Sequence, residues 1–201
     1  MDKQIFTSFP VAGGARLGGL CLELLEEQRK TWPAFAAACA GLAGIKTKMH
    51  SCGGSDIHVQ FNPARSVSSG AVLDKQSIQS RPCFLCARNL PCEQKGILYH
   101  KEYLILCNPA PIFAKHFTIV HLQHQPQAIT ASLDELLNIA ADMSPYFVVF
   151  YNGPACGASA PDHLHFQAIP AGLLPLPNFF PEYFRIIRDS AVQVYRSEET
   201  D

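Results

Sequence analysis

The run His163-Leu164-His165-Phe166-Gln167-Ala168 places unusual chemistry on a short apolar segment. Alternate residues of a β-strand point the same way. A strand here gathers His163, His165 and Gln167 on one face and Leu164, Phe166 and Ala168 on the other. The second face suits a core. Two imidazoles and an amide on the first are costly to desolvate unless something binds them. A phosphoryl group fits: imidazole is a good nucleophile toward phosphorus, and a carboxamide hydrogen-bonds a phosphoryl oxygen without competing as a base. Upstream, Asn152-Gly153 opens a loop that reaches Gly157-Ala158-Ser159. Glycines there let backbone N–H groups approach an anion closely.

A second signal is Cys83-Phe84-Leu85-Cys86, after Pro82. Two thiolates at this spacing can both reach one tetrahedral zinc, and two imidazoles would complete a Cys2His2 set. The same spacing serves redox chemistry, but no strand-to-helix thioredoxin pattern surrounds it. A third is Asn62-Pro63-Ala64-Arg65, which follows the alternating run Ile57–Phe61. A guanidinium offers phosphate a planar fork of donors. Ser66, Ser68 and Ser69 stand nearby in the same loop.

These residues need a scaffold. Apolar spacing near 3.6 from about Gly18 to Ala43 predicts one or two helices, with Pro33 able to start the second. From Ile57 onward short strands are predicted at Ile57–Phe61, Leu98–His100, Leu104–Cys107, Phe117–His121, Phe147–Tyr151 and His163–Ile169. Ser132 and Glu135 form a capping-box pattern for a helix running to about Met143. The Pro-rich stretch Leu174–Pro181 reads as a loop on the core. A last short helix is expected from Pro181 toward Tyr195, with a frayed tail from Ser197 to Asp201. The expected fold class is α+β: an antiparallel sheet with a central helix, preceded by N-terminal helices. Residues 1–50 read as a helical segment packed on a main domain of residues 51–201.

The chain has 201 residues, enough for a real core, with net charge −1 and eight cysteines. That charge leaves no footprint for nucleic acid. No apolar run is long enough to span a membrane. The first residues lack a signal-peptide layout, so the cysteines are expected to be reduced and the compartment cytoplasmic. Cys21, Cys39, Cys52, Cys92, Cys107 and Cys156 lack paired spacing and read as small buried hydrophobes.

Asn152-Gly153, Gly157-Ala158-Ser159 and His163-x-His165-x-Gln167 together resemble the active-site signature of the histidine triad superfamily. The resemblance is to its transferase branch, which holds galactose-1-phosphate uridylyltransferase, diadenosine tetraphosphate phosphorylase and GDP-L-galactose phosphorylase. It is clearest from about Ile57 to Pro170. It implies that His165 attacks the α-phosphate of a nucleotide, that Gln167 and Ser159 stabilise the transferring group, and that the nucleotidyl group then passes to a phosphate-bearing acceptor. The substrate would be a nucleotide-sugar or dinucleoside polyphosphate, and the acceptor phosphate or a sugar phosphate. Arg65, Asn108, Asn152 and Gly157 would contact substrate. Cys83, Cys86, His124 and His163 would hold a structural zinc, with His121 and His116 as rivals of His124. A homodimer is expected, since relatives often complete the pocket across an interface. One spacing departs: Ser159 and His163 stand one residue further apart than in the members most resembled.

Two other functions fit parts of the pattern. One is a nucleotide hydrolase of the histidine triad type, although hydrolases usually carry a third His where this chain has Gln167, and Gln cannot shuttle a proton. The other is a zinc-stabilised nucleotide-binding module without catalysis.

Overall fold

Strand alternation sorts the side chains of this protein onto two faces of one sheet. The computed structural model describes residues 2–10, 16–52, 55–63, 74–173, 184–189 and 192–197. The main sheet has six strands: β1 (Ile5–Phe9), β4 (Gly96–Tyr99), β5 (Tyr103–Cys107), β6 (Phe117–His121), β7 (Phe147–Phe150) and β8 (His165–Pro170). Their spatial order is β1-β4-β5-β6-β8-β7. Only β1 and β4 run parallel in this sheet; its other neighbours are antiparallel. Two further antiparallel pairs lie outside it. One joins β2 (Lys46–Cys52) to β3 (Ser55–Phe61), and the other joins β9 (Phe184–Asp189) to β10 (Val192–Ser197). The architecture is α+β with a mainly antiparallel sheet, as the sequence predicts.

On one face, Tyr103, Ile105 and Cys107 of β5, Phe117 and Ile119 of β6, and Phe166 and Ala168 of β8 join a single core. Helices α1 (Leu17–Thr31), α2 (Pro33–Gly41) and, further along the chain, α4 (Leu133–Met143) cover it; a short α3 (Lys75–Ser80) precedes the Cys83–Cys86 turn. Helix α1 buries Leu17, Leu20, Cys21, Leu24, Leu25 and Gln28, a stripe of helical period. The buried Gln28 is satisfied: its Oε1 accepts from Lys95 N–H at 2.8 Å and its Nε2 donates to Glu93 O at 3.0 Å. Pro33 opens α2 at the first helical position, and α4 lies between β6 and β7 in sequence. On the opposite face, Leu104, Leu106 and Val120 meet Leu85 and Ala160 in a smaller cluster. Gly96 of β4 makes room for it: a Cβ there would come within 2.8 Å of the side chains of Leu104 and Leu106.

Several local expectations change. Where a short helix is expected from Pro181 toward Tyr195, the described residues form β9 and β10 instead, whose Ile186, Ile187, Val192 and Val194 favour extended backbone. The segment before residue 50 contains strands as well as helices, because β1 completes the main sheet and β2 crosses residue 50 to pair with β3. β4 ends at Tyr99, since His100 and Lys101 turn through φ of +46° and +64°. Ser132 occupies the N-cap of α4 but makes no side-chain capping bond. β8 begins at His165, two residues later than expected. Of the cysteines read as buried, Cys21 and Cys107 are, and burial raises both thiol pKa values. Cys39 is half-buried, whereas Cys92 and Cys156 are exposed because they lie in surface loops. Leu174–Pro181, Arg65, Ser66, Ser68, Ser69 and the end of the tail lie outside the described residues. Among the described residues, no helix is long and apolar enough to cross a membrane.

The core assignment makes a quantitative expectation. Ile119 sits at the centre of the sheet with 0% exposure. Ile119→Ala should cost about 2–5 kcal/mol, read as a lower denaturant midpoint with an unchanged slope.

Candidate active site and metal centre

The register of the sheet builds the floor of a cavity. Leu106, Thr118 and Gln167 stand side by side across β5, β6 and β8, and Leu104, Val120 and His165 form the next row. The cavity above has a volume of about 350 Å³. Six residues singled out from sequence line it: Asn108, Asn152, Gly157, Ser159, His165 and Gln167. Phe84, Leu85, Leu90 and Leu106 give it an apolar wall. Arg65, also singled out, lies outside the described residues.

His165 is held by backbone contacts. Its Nδ1 donates to the carbonyl of His163 at 2.8 Å. In a neutral imidazole this leaves the Nε2 lone pair free to attack. Burial lowers its pKa below the ordinary imidazole range, which keeps the ring neutral. Gln127, which no sequence motif marks, locks the strand beside it. Its Oε1 accepts from His165 N–H at 2.7 Å, and its Nε2 donates to His165 O at 3.0 Å and Asn152 O at 2.9 Å. One buried amide therefore ties β8 to the start of the 152–159 loop. No spacing rule finds such a residue, because its partners are distant in sequence.

The loop residues are placed differently from one another. Gly157 adopts φ +88°, a conformation side chains disfavour. Ser159 is exposed at the rim, and its carbonyl accepts from Arg81 at 2.9 Å. Arg81 also lies 3.6 Å from Asp162. Asn108 is tied into its own turn: its Oδ1 accepts from Ala110 N–H and its Nδ2 donates to Thr118 Oγ1. His116, by sequence a rival metal ligand, lies instead in the cavity, with Nε2 2.8 Å from Gln167 Oε1. The signal for this is strand alternation, which puts His116 on the face of Thr118.

Cys83, Cys86, His124 and His163 converge, with one ligand atom from each lying within 4.8 Å of every other. His163 Nδ1 is 3.2 Å from Cys83 Sγ and 3.7 Å from Cys86 Sγ, and His124 Nδ1 is 3.3 Å from Cys86 Sγ. His163 Nε2 donates to His121 O at 2.7 Å, so its Nδ1 lone pair faces the thiols. His124 Nε2 faces Asp162 Oδ2 at 3.5 Å, which orients the second imidazole in the same way. Burial and the neighbouring Cys83 push the Cys86 thiol above its ordinary range, a situation a bound cation reverses. The donor set and its outer bonds fit a metal ion. His121 lies outside the cluster: its Nδ1 accepts from Gln123 N–H and its ring packs edge-on to Tyr103.

Gln127→Ala should orphan buried groups on both sides of the cavity. A loss of about 1–3 kcal/mol in unfolding free energy is expected, measured by denaturant titration; an unchanged midpoint would show that this amide does not hold the strand to the loop.

Among solved structures, the fold is similar to that of yeast Ap4A phosphorylase Apa2. The complex with Ap4A aligns with 17% identity and a TM-score of 0.50, covering 84% of this chain and 59% of that one. The complex with AMP aligns with 20% identity and a TM-score of 0.43, covering 78% and 53%. At this identity the likeness is one of fold alone. This chain spans little more than half the length of the phosphorylase. No curated protein matches the sequence. A family model described as a domain of unknown function, DUF4922, matches residues 24–170, a span that holds the whole described cavity and the Cys/His cluster, and the chain belongs to that family.

Proposed function

We propose that the protein is a nucleotidyltransferase or phosphorylase acting on a nucleoside diphosphate sugar or a dinucleoside polyphosphate through a covalent nucleotidyl-His165 intermediate. One observation carries this reading. A neutral imidazole, its Nδ1–H bound to a backbone carbonyl, stands in a cavity beside a carboxamide and a glycine-bearing loop. His165 Nε2 attacks the α-phosphorus, and the phosphorus–oxygen bond to the remainder of the substrate breaks, its electron pair leaving with that oxygen. Gln167, Ser159 and loop N–H groups stabilise the phosphoryl oxygens as charge builds. Arg65 neutralises entering or leaving phosphate. An oxygen of phosphate or of a sugar phosphate then attacks the same phosphorus and frees His165. Asn108, Asn152 and Gly157 contact the nucleotide. The fold likeness to a phosphorylase supports the class of protein, and Gln167 in place of a proton-shuttling histidine supports transfer to an acceptor over hydrolysis.

The same reading makes Cys83, Cys86, His124 and His163 the ligands of a structural zinc. When bound, zinc would close a tetrahedral shell and stabilise the fold, without activating water. The protein would act as a homodimer in the cytoplasm.

The deciding experiment is incubation with a panel of nucleoside diphosphate sugars and dinucleoside polyphosphates, followed by intact-protein mass spectrometry at neutral pH. The expected result is a mass increase of one nucleotide that disappears in His165→Ala, with turnover falling on the order of 10³-fold or more. Phosphate or a sugar phosphate should discharge the adduct. Near-normal turnover by His165→Ala would exclude the covalent route, and release indifferent to acceptor would indicate hydrolysis. His124→Ala should lose about one zinc per chain by elemental analysis. Its thermal midpoint should fall by roughly 2–4 °C for each kcal/mol of lost binding.

A further inference from the structure

We infer that His116 is a positioning residue that fixes Gln167 as a hydrogen-bond donor toward the cavity. This deepens the reading of the site given above and rests on it for its catalytic consequence, though not for its geometry. The backbone N–H of Ile112 points at His116 Nδ1 at 3.2 Å. That nitrogen must therefore accept, and in a neutral imidazole the proton then sits on Nε2. Nε2 lies 2.8 Å from Gln167 Oε1. The carboxamide oxygen is thus the acceptor of this bond. The opposite orientation of the amide would set an N–H against an N–H.

With Oε1 engaged beneath it, the NH2 group of Gln167 is the end left for a ligand. Two donors are what the non-bridging oxygens of a phosphoryl group require as charge builds on them, and donors already oriented need no reorganisation during the reaction. Isolated glutamine side chains would sample several rotamers and both amide orientations. Here the group that holds the amide is itself rigid. His116 is 2% exposed and lines the cavity next to Gln167. Thr118, directly opposite Gln167 in the register, is engaged in turn by Asn108 at 3.1 Å. The amide at position 167 is therefore set from outside β8, by the residue that leads into β6. The geometry also gives a reason why a glutamine works here: its oxygen can be tied down while its nitrogen stays available, a division that one carboxamide provides and a carboxylate does not.

Three measurements test this. Long-range ¹H–¹⁵N NMR of the ring should show His116 as the Nε2–H tautomer in the free protein; the Nδ1–H tautomer overturns the inference. The side-chain amide of Gln167 should shift when inorganic phosphate is added to wild type, and lose that response in His116→Leu. In a single-turnover assay, His116→Leu should slow His165 adduct formation by on the order of 10²-fold with nucleotide affinity little changed. His116→Gln, whose own carboxamide can donate to Gln167, should restore most of that rate. Equal rates for wild type and the leucine variant overturn the inference while leaving the covalent route intact. Absence of any adduct in wild type overturns the covalent route instead, and the tautomer and the phosphate response still decide the role of His116. If the leucine variant does not fold, the wild-type tautomer alone decides between the two outcomes.

Discussion

His163 is the residue on which the rest of the site depends, because it makes three contacts in three directions. Its Nδ1 faces the thiols of Cys83 and Cys86, its Nε2 donates to the carbonyl of His121, and its own carbonyl receives the Nδ1–H of His165. The first two contacts bind the residue to the Cys/His cluster and to the end of β6. The third passes that rigidity to the next imidazole and sets its tautomer. An unanchored carbonyl at this position could not hold His165 in its Nδ1–H tautomer. The cluster and the cavity are thus two halves of one arrangement, joined through two alternate residues of the chain.

The sheet supplies the other half of the rigidity. Phe166 and Ala168 sink into the core beneath α1, α2 and α4, so the strand that bears His165 and Gln167 cannot shift without opening that core. A one-residue slip of β8 would exchange its faces, burying the polar pair and exposing the apolar one. Gln127 adds a lateral tie between β8 and the loop beginning at Asn152. The cavity is therefore bounded by groups whose positions are decided by burial on the far side of the sheet. Such preorganisation is what the proposed phosphoryl transfer would demand of its site.

Much of this is legible in the chain. The alternation of His165-Phe166-Gln167-Ala168 marks the two faces of β8, and the structure sorts these residues in that way. The helical stripe of α1, the proline that starts α2, and the Cys-x-x-Cys pair are equally local signals. The tail is ambiguous because its apolar residues fit a short helix and a hairpin alike, and only pairing separates the two. β1 carries no clear signal because a segment this short becomes a strand only when Gly96–Tyr99 lies beside it.

What the sequence determined by itself was periodicity and chemistry: which residues share a face, which can ligate a metal, and which can attack phosphorus. Those properties follow from backbone geometry and side-chain type alone. Only the tertiary structure decided which of His116, His121 and His124 stands with the cysteines. They lie within nine positions of one another, yet one faces the thiols, one packs on Tyr103 and one holds Gln167. Strand alternation separates His116 from His121, but no local signal says which imidazole meets the thiols. Their partners come from Cys86, β5 and β8, and a hydrogen bond between residues far apart in the chain exists only after the sheet has closed its register.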